Sequence, residues 1–88
     1  MIHIINGETV VWSKHYAEGR LEIWGRCAPE HAQVLDHALH TSVTTRSHIM
    51  EEKFFAILAE GGIPREVGDA FLARLYEDDV VILRDPSH

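Results

Sequence analysis

The rhythm of the chain changes at residue 27. Up to that point apolar residues alternate with polar ones and are interrupted by turn residues. Beyond it they recur at helical spacing, apart from one late apolar run. A period of two belongs to extended chain and a period of 3.6 to helix. The expected fold is therefore α+β. An N-terminal three-stranded antiparallel meander is followed by three helices and a short C-terminal strand, in the order βββ-ααα-β. At 88 residues the chain makes one domain, spanning 1–88.

The first hairpin is the best-specified element. Ile2–Ile5 is followed by Asn6-Gly7 and then by Glu8 to Tyr16. Asn-Gly suits a two-residue turn because both central positions need positive φ. Pairing then runs Ile5–Glu8, Ile4–Thr9, His3–Val10 and Ile2–Val11. For the second hairpin, a three-residue loop Ala17-Glu18-Gly19 places Tyr16 opposite Arg20, Lys14 opposite Glu22 and Trp12 opposite Trp24. An opposite-charge pair and an aromatic pair falling together favour that register. Alternation then sorts the faces. Ile2, Ile4, Val11, Leu21 and Ile23 share one, which is aliphatic and is expected to face the core. His3, Val10, Trp12, Lys14, Glu22 and Trp24 share the other.

Pro29 suits a first helical turn, and the helix to about Thr41 carries Ala32, Val34, Leu35, Ala38 and Leu39 on one side. The stretch Thr41 to Thr45 breaks the pattern. A second helix is expected from about Arg46 to Glu60, with Met50, Phe54, Ile57 and Leu58 as its stripe, and Gly61-Gly62 ends it. Pro64 opens a third, with Val67, Phe71, Leu72 and Leu75. Glu77-Asp78-Asp79 reads as a polar break, Val80 to Leu83 as a strand, and Asp85 to His88 as a loose tail.

The net charge is −6, and it is unevenly spread. Residues 1–26 balance Glu8, Glu18 and Glu22 against Lys14, Arg20 and Arg26. Residues 27–88 hold 11 acids against 5 bases. That half would repel a phosphate backbone, which needs a basic face. No apolar run is long enough for a membrane span, and the start MIHIINGETV lacks the pattern of a secretory signal. The single cysteine, Cys27, cannot form an internal disulfide, so a reducing, cytoplasmic setting is expected.

Several residue sets invite function, and each has a plainer reading. Trp12 and Trp24 form an aromatic patch if the helices cover only the aliphatic face, and tryptophan is enriched at binding hot spots. The plainer reading is core, under a helix, the last strand or a dimer mate. Asp36, His37 and His40 lie on one polar helix face and offer a weak metal set. The spacing matches no zinc signature, and a solvated face accounts for it. Cys27 near His31 suggests a nucleophile, but no activating base or oxyanion hole can be read. The acids Glu51, Glu52, Glu66, Asp69, Glu77, Asp78 and Asp79 read as an acidic surface. Helix, Gly-Gly, helix, turn and strand is also the order of a winged helix-turn-helix. Its recognition helix would expose Arg65, Glu66, Asp69, Ala73 and Arg74, a poor face for a phosphate groove.

The function expected from the sequence is non-catalytic protein binding, by a small acidic adaptor or inhibitor. Trp12, Lys14, Glu22 and Trp24 would supply the anchor, and the acidic half would steer towards a basic partner, such as a nucleic-acid-handling enzyme. No cofactor is implied. A DNA-binding regulator relying on a hidden basic patch (Arg46, Lys53, Arg65, Arg74) and a small metal protein are the alternatives. Homodimerisation is compatible with all three.

Overall fold

The computed structural model describes residues 1–15, 21–43, 49–77 and 80–81. The chain forms β1 (Ile2–Ile5), β2 (Glu8–His15) and β3 (Leu21–Cys27). A 3-10 turn over Pro29–His31 leads into α1 (Ala32–Ser42). Then follow α2 (Glu51–Glu60), α3 (Arg65–Leu72), β4 (Tyr76–Glu77) and β5 (Val80–Val81). The strands make one antiparallel sheet in chain order, β1-β2-β3-β4-β5. The α+β class and its βββ-ααα order are thus as the sequence predicts.

Both hairpin registers match the expected ones. Asn6 and Gly7 have φ of 52° and 79°, the positive pair a tight two-residue turn requires. Ile2 pairs with Val11 and Ile5 with Glu8. Trp12 pairs with Trp24 and Lys14 with Glu22. The loop Ala17-Glu18-Gly19 lies outside the described residues.

α3 ends at Leu72, short of Leu75, which is buried beyond the helix, and two further boundaries differ from expectation. The second helix starts at Glu51, not near Arg46, and Arg46 itself lies outside the described residues. Val43 pairs with Ile49 in an isolated bridge, and the Met50 N–H donates to the Ser42 carbonyl at 3.0 Å. These bonds hold Met50 extended, at φ −77° and ψ 91°. Met50 therefore caps the helix from outside, 43% exposed, instead of contributing to its stripe. Glu77 is the second correction. It belongs to β4, opposite Ile23, and not to a polar turn. Asp78 and Asp79 lie outside the described residues, as do Leu83 and the tail from Asp85.

The end of α2 follows its glycines. Gly62 takes φ 76°. The Ile63 N–H donates to Leu58 O at 2.9 Å and the Gly62 N–H to Ala59 O at 3.2 Å. These two reversed bonds form a Schellman cap, and Ile63 is buried behind it. At Gly68 a Cβ would lie 2.6 Å from both Leu58 Cδ2 and Phe55 Cε1. The missing side chain is what lets α3 approach α2.

α1 packs on β2, α3 packs on β3, and α2 packs against both other helices. The core joins Val11 and Ile23 to Leu35, Leu39, Phe54, Leu58, Phe71, Leu72 and Leu75. The helices therefore cover the face that alternation assigned to the core. The outer part of that stripe is not buried, however. Ile2 is 42% and Ile4 68% exposed, on an edge strand that has a sheet neighbour on one side only. Val10 is the converse. It lies on the opposite face yet is 1% exposed. It sits between His3 and Arg26 in register, beside Trp12. Among the described residues no helix is long and apolar enough to cross a membrane.

Candidate functional site

Among the described residues, the sheet face turned away from the helix-backed core carries a continuous row of ring and cation contacts. Trp12 and Trp24 stack with centroids 5.7 Å apart and planes at 19°. His3 meets Trp12 edge-on at 5.9 Å, and the Arg26 guanidinium lies 5.0 Å from the centre of the Trp24 ring. Direct opposition of Trp12 and Trp24 produces the stack. The His3 contact follows from the diagonal spacing of the same face, and the Arg26 contact from its place two residues after Trp24 on the same strand. Each indole is half-buried, and neither belongs to the helix-backed core. Arg26 also pairs with Glu8. Both members of that pair are more than half exposed, so it contributes at most about 1 kcal/mol. The Trp12 Nε1 is buried with no hydrogen-bond partner.

The structure brings the two tryptophans together, as the sequence suggests, and adds His3 and Arg26. Both were legible in principle, His3 as the diagonal neighbour of Trp12 and Arg26 as the next residue on the face after Trp24. Lys14 and Glu22 are opposite in register, but their side chains lie outside the described set.

The acids are scattered over several elements. Glu51 and Glu52 occupy the first turn of α2, where negative charge complements the helix dipole. Glu66 is exposed in the first turn of α3. Asp69 approaches Arg65 at 3.9 Å one turn away, while the Arg65 guanidinium lies 3.9 Å over the Phe55 ring. Arg65 is thereby engaged with its own chain.

Asp36 accepts from the ammonium of Met1 at 2.5 Å. With Met1, Trp12, Ser13 and His40 it borders an open cleft that His37 does not line. Among the described residues no group of three or more His, Cys, Asp or Glu is arranged to hold a metal ion.

A second site was not foreseen. Where β3 ends and α1 begins, Arg26, Cys27, His31 and Leu35 face Phe71 and Arg74 of the α3 region across a cleft of about 430 Å³. The Cys27 thiol is free and half-buried. Burial, and secondarily the charge of Glu30, push its pKa up from the ordinary thiol value. A nucleophilic cysteine needs the opposite shift, so Cys27 serves as lining. No sequence pattern announces this cleft, because its walls come from segments far apart in the chain.

Compared with family models, curated proteins and solved structures, the chain matches none.

Proposed function

We propose that the chain is a small non-catalytic protein-binding module, an adaptor or inhibitor, that docks through the sheet face turned away from its helix-backed core. The observation that carries this reading is the stacked, half-buried Trp12–Trp24 pair, which among the described residues lies outside the helix-backed core. Tryptophan and arginine dominate binding hot spots, and here they adjoin one another. The acid excess of residues 27–88 favours a basic partner, such as an enzyme that handles nucleic acid, and would speed encounter at low salt. The unpaired thiol of Cys27 fits a reducing, cytoplasmic setting.

The β1 edge supports a homodimer beside this face. Met1 and Trp12 exchange both backbone bonds, at 2.6 and 2.7 Å. By antiparallel alternation His3 and Ile5 also bond towards β2, and Ile2 and Ile4 turn their N–H and C=O groups outward. A second copy related by a two-fold axis at His3 pairs Ile2 of one copy with Ile4 of the other, twice, and uses all of these groups. The strand carries no lysine, proline or inward charge to discourage such pairing.

Affinity capture followed by titration of the purified partner tests the module reading. Trp12→Ala/Trp24→Ala, shown to be folded by circular dichroism, is expected to lose the partner, and Lys14→Glu to weaken it. A partner held equally by wild type and both folded variants overturns the reading. Light scattering on Ile4→Pro tests the dimer. Proline removes only an outward N–H and leaves the ladder to β2 intact, so dimeric wild type and a monomeric variant are expected.

A further inference from the structure

We propose that the cleft between the end of β3 and α3 is a binding site for a small amphiphile, with a short apolar body and one carboxylate head. The cleft measures about 430 Å³, towards the lower end of the roughly 300–1,000 Å³ of ordinary ligand sites. Its floor is apolar and well ordered by the fold. Leu35 and Phe71 are buried core residues. Phe71 is held in place by stacking on Phe54 at 6.1 Å and by Gly25, where a Cβ would come within 2.9 Å of Phe71 Cε1. A site whose floor is fixed by the core needs little reorganisation to accept a ligand.

The rim is selective by charge. Arg26 and Arg74 both line the cleft, His31 adds an imidazole, and no Asp or Glu among the described residues does so. This is the reverse of the chain as a whole, which has 14 acids against 8 lysines and arginines. Arg26 is already engaged by Glu8 and by the Trp24 ring, which leaves its charge largely offset. Arg74 has no ion pair among the described residues and sits exposed on the far wall. It is the group positioned to take a carboxylate in a charge-assisted, two-pronged hydrogen bond. Cys27, kept protonated by burial and by Glu30, completes the wall as a small apolar surface. It adds no anion that would repel the head.

The ligand body is limited by the floor. A long chain would overrun the cleft, and a polar body would lose its hydration against Leu35, Phe71 and Val67. An aryl carboxylate or a medium-chain fatty acid meets both limits. The two share one chemistry and differ only in the shape of the body.

The test uses the full chain with decanoate, with decanol as the uncharged probe and naphthoate as the flat one, followed by amide shifts in nuclear magnetic resonance and by calorimetry. Decanoate is expected to shift residues of the cleft, Cys27, His31, Val67 and Phe71 among them, and to bind roughly tenfold or more tighter than decanol, as a charged hydrogen bond of about 1.5–3 kcal/mol implies. Arg74→Gln is expected to erase that preference while leaving decanol unchanged. Ala70→Phe, which fills the cleft from an exposed helix position without altering charge, is expected to abolish binding of all probes. Naphthoate binding with weak decanoate binding selects the flat class, and the reverse selects the chain. The proposal is overturned if no probe binds below millimolar concentration. Shifts that cluster on β1 or the tryptophans instead of the cleft also overturn it, as does an unchanged decanoate preference in a folded Arg74→Gln variant.

Discussion

Ile4 on β1 and Ile23 on β3 share one face of the same sheet, and their fates are opposite. Ile23 is fully buried, whereas Ile4 is 68% exposed. Alternation puts both on the core side, and hydrophobicity does not distinguish them. The difference is depth within the sheet. β3 is flanked by β2 and β4 and lies under α3, while β1 has a neighbour on one side only. Period two therefore selects a face, but distance from the edge decides how much of that face is covered. Val10 shows the same rule from the other side. It is on the opposite face, yet it is only 1% exposed, close to the middle of the sheet.

The contrast can be tested by truncation. Ile23→Ala removes fully buried methyl groups from the centre and is expected to cost about 2–5 kcal/mol in urea denaturation. Gly68→Ala adds a methyl where α2 and α3 touch. It is expected to cost about 1–3 kcal/mol by overpacking, and a neutral result would mean that the two helices can separate. The next effect is pH-dependent. The folded-state pKa of the Cys27 thiol is raised, so folding favours its neutral form. That contribution is complete below the ordinary thiol pKa and is lost as pH rises through the folded value. Thermal scans should show stability falling on the alkaline side, with a shallower fall in Cys27→Ala. Alkylation of the native thiol should also be slow at pH 8. Ile4→Ala is expected to change monomer stability by no more than about 0.5 kcal/mol. A cost matching that of Ile23→Ala would abolish the contrast between edge and centre. Ser42→Ala should have the smallest effect. The Ser42 hydroxyl is buried with no partner, so its removal should be neutral or slightly stabilising.

What the sequence reveals depends on how local the cause is. The Asn6-Gly7 turn, the strand registers and the Gly61-Gly62 stop are local, and each was legible. The start of α2 was not, because a bridge between Val43 and Ile49 decides it and helical spacing cannot register a pairing between residues apart in the chain. The place of Glu77 in β4 was hidden for a similar reason, since the partner strand fixes it. In the candidate site the Trp12–Trp24 contact followed from register alone. His3 required the diagonal rule, Arg26 the two-residue alternation along β3, and the cleft at Cys27 the packing of α3 against the end of β3. Patterning along the chain does not encode that packing.

The neighbours β3 and β4 are separated in the chain by all three helices, whereas β1, β2 and β3 are joined by short stretches of sequence. Closing short loops costs little entropy and closing the long one costs more. The meander can therefore assemble early, while β4 pairs only after the helices have condensed on the inner face. Until that moment β3 is a raw edge too, and the tryptophan row is bordered by unpaired backbone on both sides. The late-coming β4 thus does two things in the finished fold: it extends the sheet, and it closes an edge of β3 that would otherwise offer unpaired backbone beside the tryptophans.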